Sequence, residues 1–364
     1  MNLLYYSTNV TTRLSNHKFP GVEKFSKFFK LFHPTAAIID RTHTIKIPFH
    51  VKSLFPLPLL RPMKKTYEEI CNERACELLA RADKLGVMLY VFYSGGIDST
   101  LLLVSLLKNA TSDQKANIAV LLSEESITEN PNFYKDHIYG KLHADSANIF
   151  PYLLGSRHML VGGEHNDQLL GYGIAEKLIF KFGSSIIHQP YNRDNFFKFF
   201  DEILNDKEST NFYLDLFERL KDAAPVPIVT HFDYLWWINF SLKWQSAFTH
   251  LLNYTAPRNI SHIDARYIST NYNQFYGTDD FQLWSLSNLD KRIKDTWKTY
   301  KWVCKDIIYD YTKDADYRDN KTKRASLAPL LQQQNSYHFI DESMRFWSEL
   351  DPQEYYNPDN DFID

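Results

Sequence analysis

The run Val87-Met88-Leu89-Tyr90-Val91-Phe92-Tyr93 is continuously apolar, rich in β-branched and aromatic residues, and is cut off abruptly by Ser94-Gly95-Gly96. A run of that length and make-up reads as a strand buried on both faces that ends in a turn. Ser99 to about Asn109 then places Leu101, Leu102, Leu103, Leu106 and Leu107 among good helix formers, so the turn opens a helix. Ile118 to Leu122 reads as a second buried strand, the stretch around Phe133 to Ala144 as helical, and Met159-Leu160-Val161 as a third strand. Strand, helix, strand, helix, strand implies an α/β fold with a parallel sheet and right-handed crossovers.

Glycine is scarce, at 12 of 364 residues, and only two adjacent pairs occur, Gly95-Gly96 and Gly162-Gly163. Each closes an expected strand. Glycines there permit backbone angles and close approaches that a β-carbon forbids, while the amides and dipole of the following helix face outward. That combination holds phosphate. Ser94, Ser99 and Thr100 are placed to add hydroxyls around the same oxygens. Asp98 is an acid in an anion site and calls for a cation; magnesium, which favours hard oxygen ligands, is the expected one. The plainer alternative is a tight turn with Asp98 in a capping role.

Before this core, residues 1–62 mix aromatic, basic and proline residues without periodicity and are expected to form a lead-in region. Lys64 to about Lys84 reads as an amphipathic helix through Ile70, Ala75, Leu78, Leu79 and Ala82. The expected core spans 63–185, and 186–364 reads as a mostly helical part, with helices near 168–182, 194–205, 209–222, 233–252 and 288–310. Within it, Tyr234, Trp236, Trp237 and Phe240 read as packed core in preference to a stacking platform.

The segment Ser94-Gly95-Gly96-Ile97-Asp98-Ser99 resembles the pyrophosphate loop of the N-type ATP pyrophosphatases, enzymes that adenylate a substrate and release pyrophosphate. It is not a Walker loop, for no G-x-x-x-x-G-K-[ST] occurs. Gly163-Glu164-His165-Asn166-Asp167-Gln168-Leu169-Leu170-Gly171-Tyr172 is similar to a second segment, Gly-Glu-Gly-x-Asp-Glu-(Leu)-Phe-Gly-Gly-Tyr, of asparagine synthetase and its relatives. It departs at His165, at Gln168 and by one missing glycine. The resemblance covers about residues 65 to 330. It implies an adenine nucleotide alpha hydrolase-like (HUP-type) fold, with ATP held by Ser94, Gly95, Gly96, Asp98, Ser99, Thr100, Leu122 and Gly163. It further implies magnesium on Asp98 and Asp167, with Glu164 taking a proton from an attacking amine. The basic stretch Tyr317 to Ser326 resembles a late Arg-x-Lys segment of the same relatives, which makes Lys321 or Lys323 the candidate that steadies departing pyrophosphate.

The expected activity is an AMP-forming ligase that makes an amide from a small-molecule carboxylate and an amine. The lead-in is too short for a glutaminase, so ammonia would come from a separate partner or be replaced by another amine. Adenylation of a nucleobase is the alternative enzyme, and an inactive ATP-binding module the alternative from another class. A net charge of −3 creates no general attraction for nucleic acid or an anionic membrane, though a local basic patch stays open. Cys71, Cys76 and Cys304 form no C-x-x-C, which disfavours a zinc site or disulfide framework and fits a cytoplasmic setting. No signal peptide and no membrane span are expected.

Overall fold

A computed structural model describes residues 1–7, 19, 22–25, 27–32, 37–321 and 337–357. Its strands are β1 (Leu3–Tyr6), β2 (Leu89–Phe92), β3 (Ile118–Leu122), β4 (His143–Ser146), β5 (Met159–Gly162), β6 (Tyr272–Gln274), β7 (Phe339–Asp341) and β8 (Phe346–Trp347). Five of them form one sheet in the order β4-β3-β2-β5-β6, every neighbouring pair parallel. The expected α/β architecture is present: a parallel sheet flanked by helices, followed by a helical part. Leu89 pairs with Ile118 on one side and Met159 on the other, so β2 lies at the centre.

Two strands of this sheet, and all three of the smaller β1-β7-β8 sheet, were not legible in advance. The stretch expected as one helix from Phe133 to Ala144 breaks into a short turn of helix at Pro131–Phe133, a wider turn at Tyr134–Ile138, and then β4. β4 is an exposed edge whose polar His143 and Asp145 pair with each other at 3.0 Å, chemistry that suits a sheet margin and hides the strand from an apolar-run search. β6 comes from the part of the chain read as helical; three residues are too few for a periodic signal.

The Tyr67–Leu85 helix starts at Thr66, whose hydroxyl accepts from the Glu69 amide while the Glu69 carboxylate accepts from the Thr66 amide. Such a reciprocal cap is worth about 1 kcal/mol. Its apolar stripe is buried as expected, against the Ile97–Asn109 helix. In the helical part, Arg193–Leu204 and Lys207–Asp222 pack on each other, and all twelve residues of His231–Leu242 are buried. Tyr234, Trp236, Trp237 and Phe240 are therefore core, and the Trp237 indole donates to the Leu220 carbonyl at 2.6 Å. The region read as one helix over 288–310 instead begins with short turns at Leu289–Lys291 and Trp297–Thr299 and becomes α-helical only at Trp302–Thr312, while Asp279–Ser287 is a separate helix before it.

The N-terminal segment joins both ends of the chain to this core. β1 pairs antiparallel with β7, and β7 with β8. Arg41, 2% exposed, lies over the Phe240 and Trp244 rings and donates to Phe55 O, Pro56 O and Gln282 Oε1. Among the described residues no helix is long and apolar enough to cross a membrane.

Candidate functional site

β2 is followed in the sheet by β3 on one side and β5 on the other, so the order reverses at the carboxyl ends of β2 and β5. Open α/β sheets bind ligands in the crevice at such a switch point. Both glycine pairs fall there.

The first turn is shaped by its glycines and tied by its serines. Gly95 has φ +75, and a β-carbon on it would lie 2.4 Å from Ser126 O and 2.9 Å from Glu129 Cβ. The turn thus rests directly on the Glu124–Glu129 helix. Ser94 N donates to Ser99 Oγ at 3.1 Å, Gly96 N to Ser94 Oγ at 3.2 Å, and Ser99 Oγ to Gly96 O at 3.2 Å. Gly96 caps the Ile97–Asn109 helix with extended backbone and no side-chain bond, which leaves first-turn amides without an intrahelical acceptor.

The second turn lies on the first. A β-carbon on Gly163 would stand 3.2 Å from Ser99 N and 3.3 Å from Asp98 C, closer than most side chains pack. Glu164 N donates to Gln274 Oε1 at 3.3 Å, tying this turn to β6. Asn166, fully buried, donates from Nδ2 to Asp98 Oδ1 at 2.5 Å and accepts from the Tyr67 hydroxyl. Tyr276, just past β6, donates to Asp98 O at 2.8 Å. Asn166 thus orients the Asp98 carboxylate, and Tyr276 fixes the Asp98 backbone carbonyl.

Lys301 completes the arrangement. Its Nζ lies 2.7 and 2.6 Å from the two Asp98 carboxylate oxygens and 2.7 Å from Asp167 Oδ1, with the side chain only 4% exposed. Tyr300 donates its hydroxyl to the same Asp167 oxygen at 3.0 Å. Burial by itself lowers the Lys301 pKa, but Asp167 and Asp98 more than offset it, and the net shift is upward. The ammonium is a fixed positive charge between the two acids.

Glu164 is partly buried and, among the described residues, its carboxylate makes no hydrogen bond or ion pair. Burial pushes its pKa up; Asp167 and Asp98 push the same way, against His250 and Lys243. His165 is buried with φ +77, the left-handed region that favours glycine. Its ring stacks on Trp244 at 4.2 Å and shares a 2.9 Å hydrogen bond with Trp244 O. Burial drives its pKa down to about 3, so the ring is neutral at physiological pH. Gln168 is also buried and donates to Asn239 Oδ1 at 3.4 Å. A charged side chain at that position would need a counter-ion.

The remaining expected residues divide. Leu122 ends β3, partly buried and packed on the core. Thr100 is fully buried, its Oγ1 3.2 Å from the Tyr317 hydroxyl, which donates to Gly95 O at 3.1 Å. Lys321 Nζ is 2.5 Å from Glu129 Oε1, both side chains buried, so its charge meets the acid beneath the glycine turn and not Asp98 or Asp167. Lys323 lies outside the described residues. Lys301, Asn166, Glu129 and Tyr317 were missed, as were Tyr67, Tyr276 and Tyr300, which hold Asn166, Asp98 and Asp167. Tyr317 lay in the basic stretch and Asn166 in the second segment, but Lys301 and Glu129 belong to no motif.

The fit of magnesium can be tested on these side chains. The Asp98 and Asp167 carboxylates converge on one point, and the Lys301 ammonium stands at it. A resident divalent ion does not fit between them in this arrangement. No group of three or more His, Cys, Asp or Glu is placed to hold a metal among the described residues. The three cysteines are free. Comparison with protein-family models, curated proteins and solved structures finds no match.

Proposed function

We propose that this chain binds ATP against the Ser94–Ser99 turn and cleaves it between the α- and β-phosphates, adenylating a carboxylate that an amine or ammonia then converts to an amide. The observation that carries the reading is the seating of the two glycine turns on each other at the switch point of a parallel sheet. In this reading the sheet is of the HUP type. First-turn amides of the Ile97–Asn109 helix face the phosphates.

A substrate carboxylate oxygen attacks the α-phosphorus, the bond from that phosphorus to the bridging oxygen breaks, and pyrophosphate leaves. The amine attacks the acyl carbon, gives up a proton to Glu164, and AMP departs. Glu164 suits this role because a base with an upward-shifted pKa holds a proton more readily near neutral pH. The electrostatic role expected of Lys321 or Lys323 is assigned in this reading to Lys301, whose buried ammonium lies where the two turns meet. Lys321 instead supports the turn through Glu129. The amine source, including any glutaminase partner, lies outside the chain's own site.

One observation favours a second reading. Because Lys301 already occupies the point where Asp98 and Asp167 converge and offsets one of their two charges, a module that binds nucleotide without turnover has the same geometry. The test is pyrophosphate and AMP release from magnesium ATP across amino acids, nucleosides and cell extract, with Asp98→Ala and Glu164→Ala beside the wild type. AMP and pyrophosphate lost in the Asp98 variant support the ligase. ADP formation, or ATP bound without turnover throughout, removes it.

A further inference from the structure

We propose that Lys301 is the resident cation of the Asp98–Asp167 pair, closing it to free divalent metal, and that the pair accepts a divalent ion only when a polyphosphate arrives with it and draws the ammonium aside. Three oxygens from two carboxylates lie within 2.7 Å of Lys301 Nζ, so the point of convergence is filled. The lysine is held there by its backbone as well as its charge. Lys301 sits at φ 58 as the first residue before the Trp302–Thr312 helix, its amide donating to Arg292 O at 3.0 Å and its carbonyl accepting from Lys305 N at 3.1 Å. Tyr300 and Asn166 hold the two acids from either side.

Charge counting gives the selectivity. Two carboxylates and one ammonium leave a single negative charge, so a bare divalent ion entering beside Lys301 makes the cluster net positive within a few ångströms. Like charges at that spacing repel, most of all at the 4% exposed ammonium, while water partly screens the carboxylates of Asp98 and Asp167, which are 27% and 51% exposed. A polyphosphate brings several negative charges of its own and offers the ammonium another partner. Magnesium also sheds its waters reluctantly and is commonly bound through one or two carboxylates plus substrate phosphates, which suits joint arrival. The closure of the pair stands on the geometry alone; its opening by polyphosphate rests on the nucleotide reading.

The experiment measures Mn²⁺ bound per chain by loss of the free-ion electron paramagnetic resonance signal, first without nucleotide. The wild type is expected to bind no stoichiometric Mn²⁺. Lys301→Met and Lys301→Gln, each checked for folding by circular dichroism, are expected to gain one site at least tenfold tighter than any wild-type binding, and adding Asp98→Asn to Lys301→Met should abolish it. A stoichiometric site in the wild type, or none in either folded variant, overturns the closure. A second arm adds a non-hydrolysable ATP analogue and, because the analogue itself complexes Mn²⁺, counts the Mn²⁺ that stays with the chain on a desalting column; the wild type should retain one. If that arm fails while the Lys301 variants gain metal, the nucleotide reading falls and the closure stands.

Discussion

Glu129 and Lys321 form a buried ion pair, Nζ to Oε1 2.5 Å, directly behind the Gly95–Gly96 turn. With side chains 3% and 6% exposed, neither charge can be hydrated if the other is removed. Lys321→Ala should therefore destabilise the fold by about 3 to 5 kcal/mol, the usual cost of stranding a buried charge, while Glu129→Leu with Lys321→Met should cost much less. Urea denaturation of Lys321→Met, Glu129→Leu and their double variant, beside Lys321→Ala, measures the difference. A double-variant loss equal to the sum of the two single losses would show that the pair's charges do not depend on each other.

Tyr317 reaches the other side of the same turn, its hydroxyl 3.1 Å from Gly95 O and 3.2 Å from Thr100 Oγ1. Tyr317→Phe keeps the ring and removes the donor. The expected cost is about 1 kcal/mol in stability. If the turn holds phosphate, the variant should also weaken ATP binding more than it slows a single turnover, because Tyr317 positions the turn without touching the reacting atoms. Isothermal titration beside a thermal melt separates the two effects.

Glu164 gives a pH signature whose sign follows from burial. Its folded pKa is raised above the ordinary 4.5, so the folded state binds the proton more tightly than the unfolded chain. The resulting stabilisation is fully present below about pH 4.5 and is lost as pH rises through the folded value. Compared with Glu164→Gln, the wild type should lose relative stability between acid and neutral pH. A stability difference between the two that stays flat with pH, measured by denaturant melts, would refute a raised pKa.

What could be read from the sequence divides by range. The turn at Ser94–Gly96 and the turn at Gly163–Asp167 each announce themselves locally, through an apolar run closed by glycines. Their meeting could be expected only from the parallel order of β2 and β5. Lys301 lies 203 residues from Asp98 and carries no pattern of its own, since a lone lysine between a tyrosine and a tryptophan looks like any surface cation. Glu129 is hidden in the same way among the acids of a short helix. The departures at His165 and Gln168 could be seen in the sequence, but their reasons are tertiary, in Trp244 and Asn239.

His165 offers the sharpest contrast between local and long-range terms. Its φ of +77 is costly for a side-chain-bearing residue, and the similar family segment has glycine at this position. His165→Gly would relieve backbone strain of roughly 1 kcal/mol. It would also remove a ring stacked on Trp244 at 4.2 Å, its 2.9 Å bond to Trp244 O, and the volume of a fully buried side chain. Truncations of large buried side chains cost roughly 3 to 5 kcal/mol, and glycine adds unfolded-state entropy to that loss. The net expectation is a variant less stable by about 2 kcal/mol or more, with the Trp244 fluorescence environment changed. A stabilised variant would instead mean that the strain at this turn outweighs the packing that the histidine supplies.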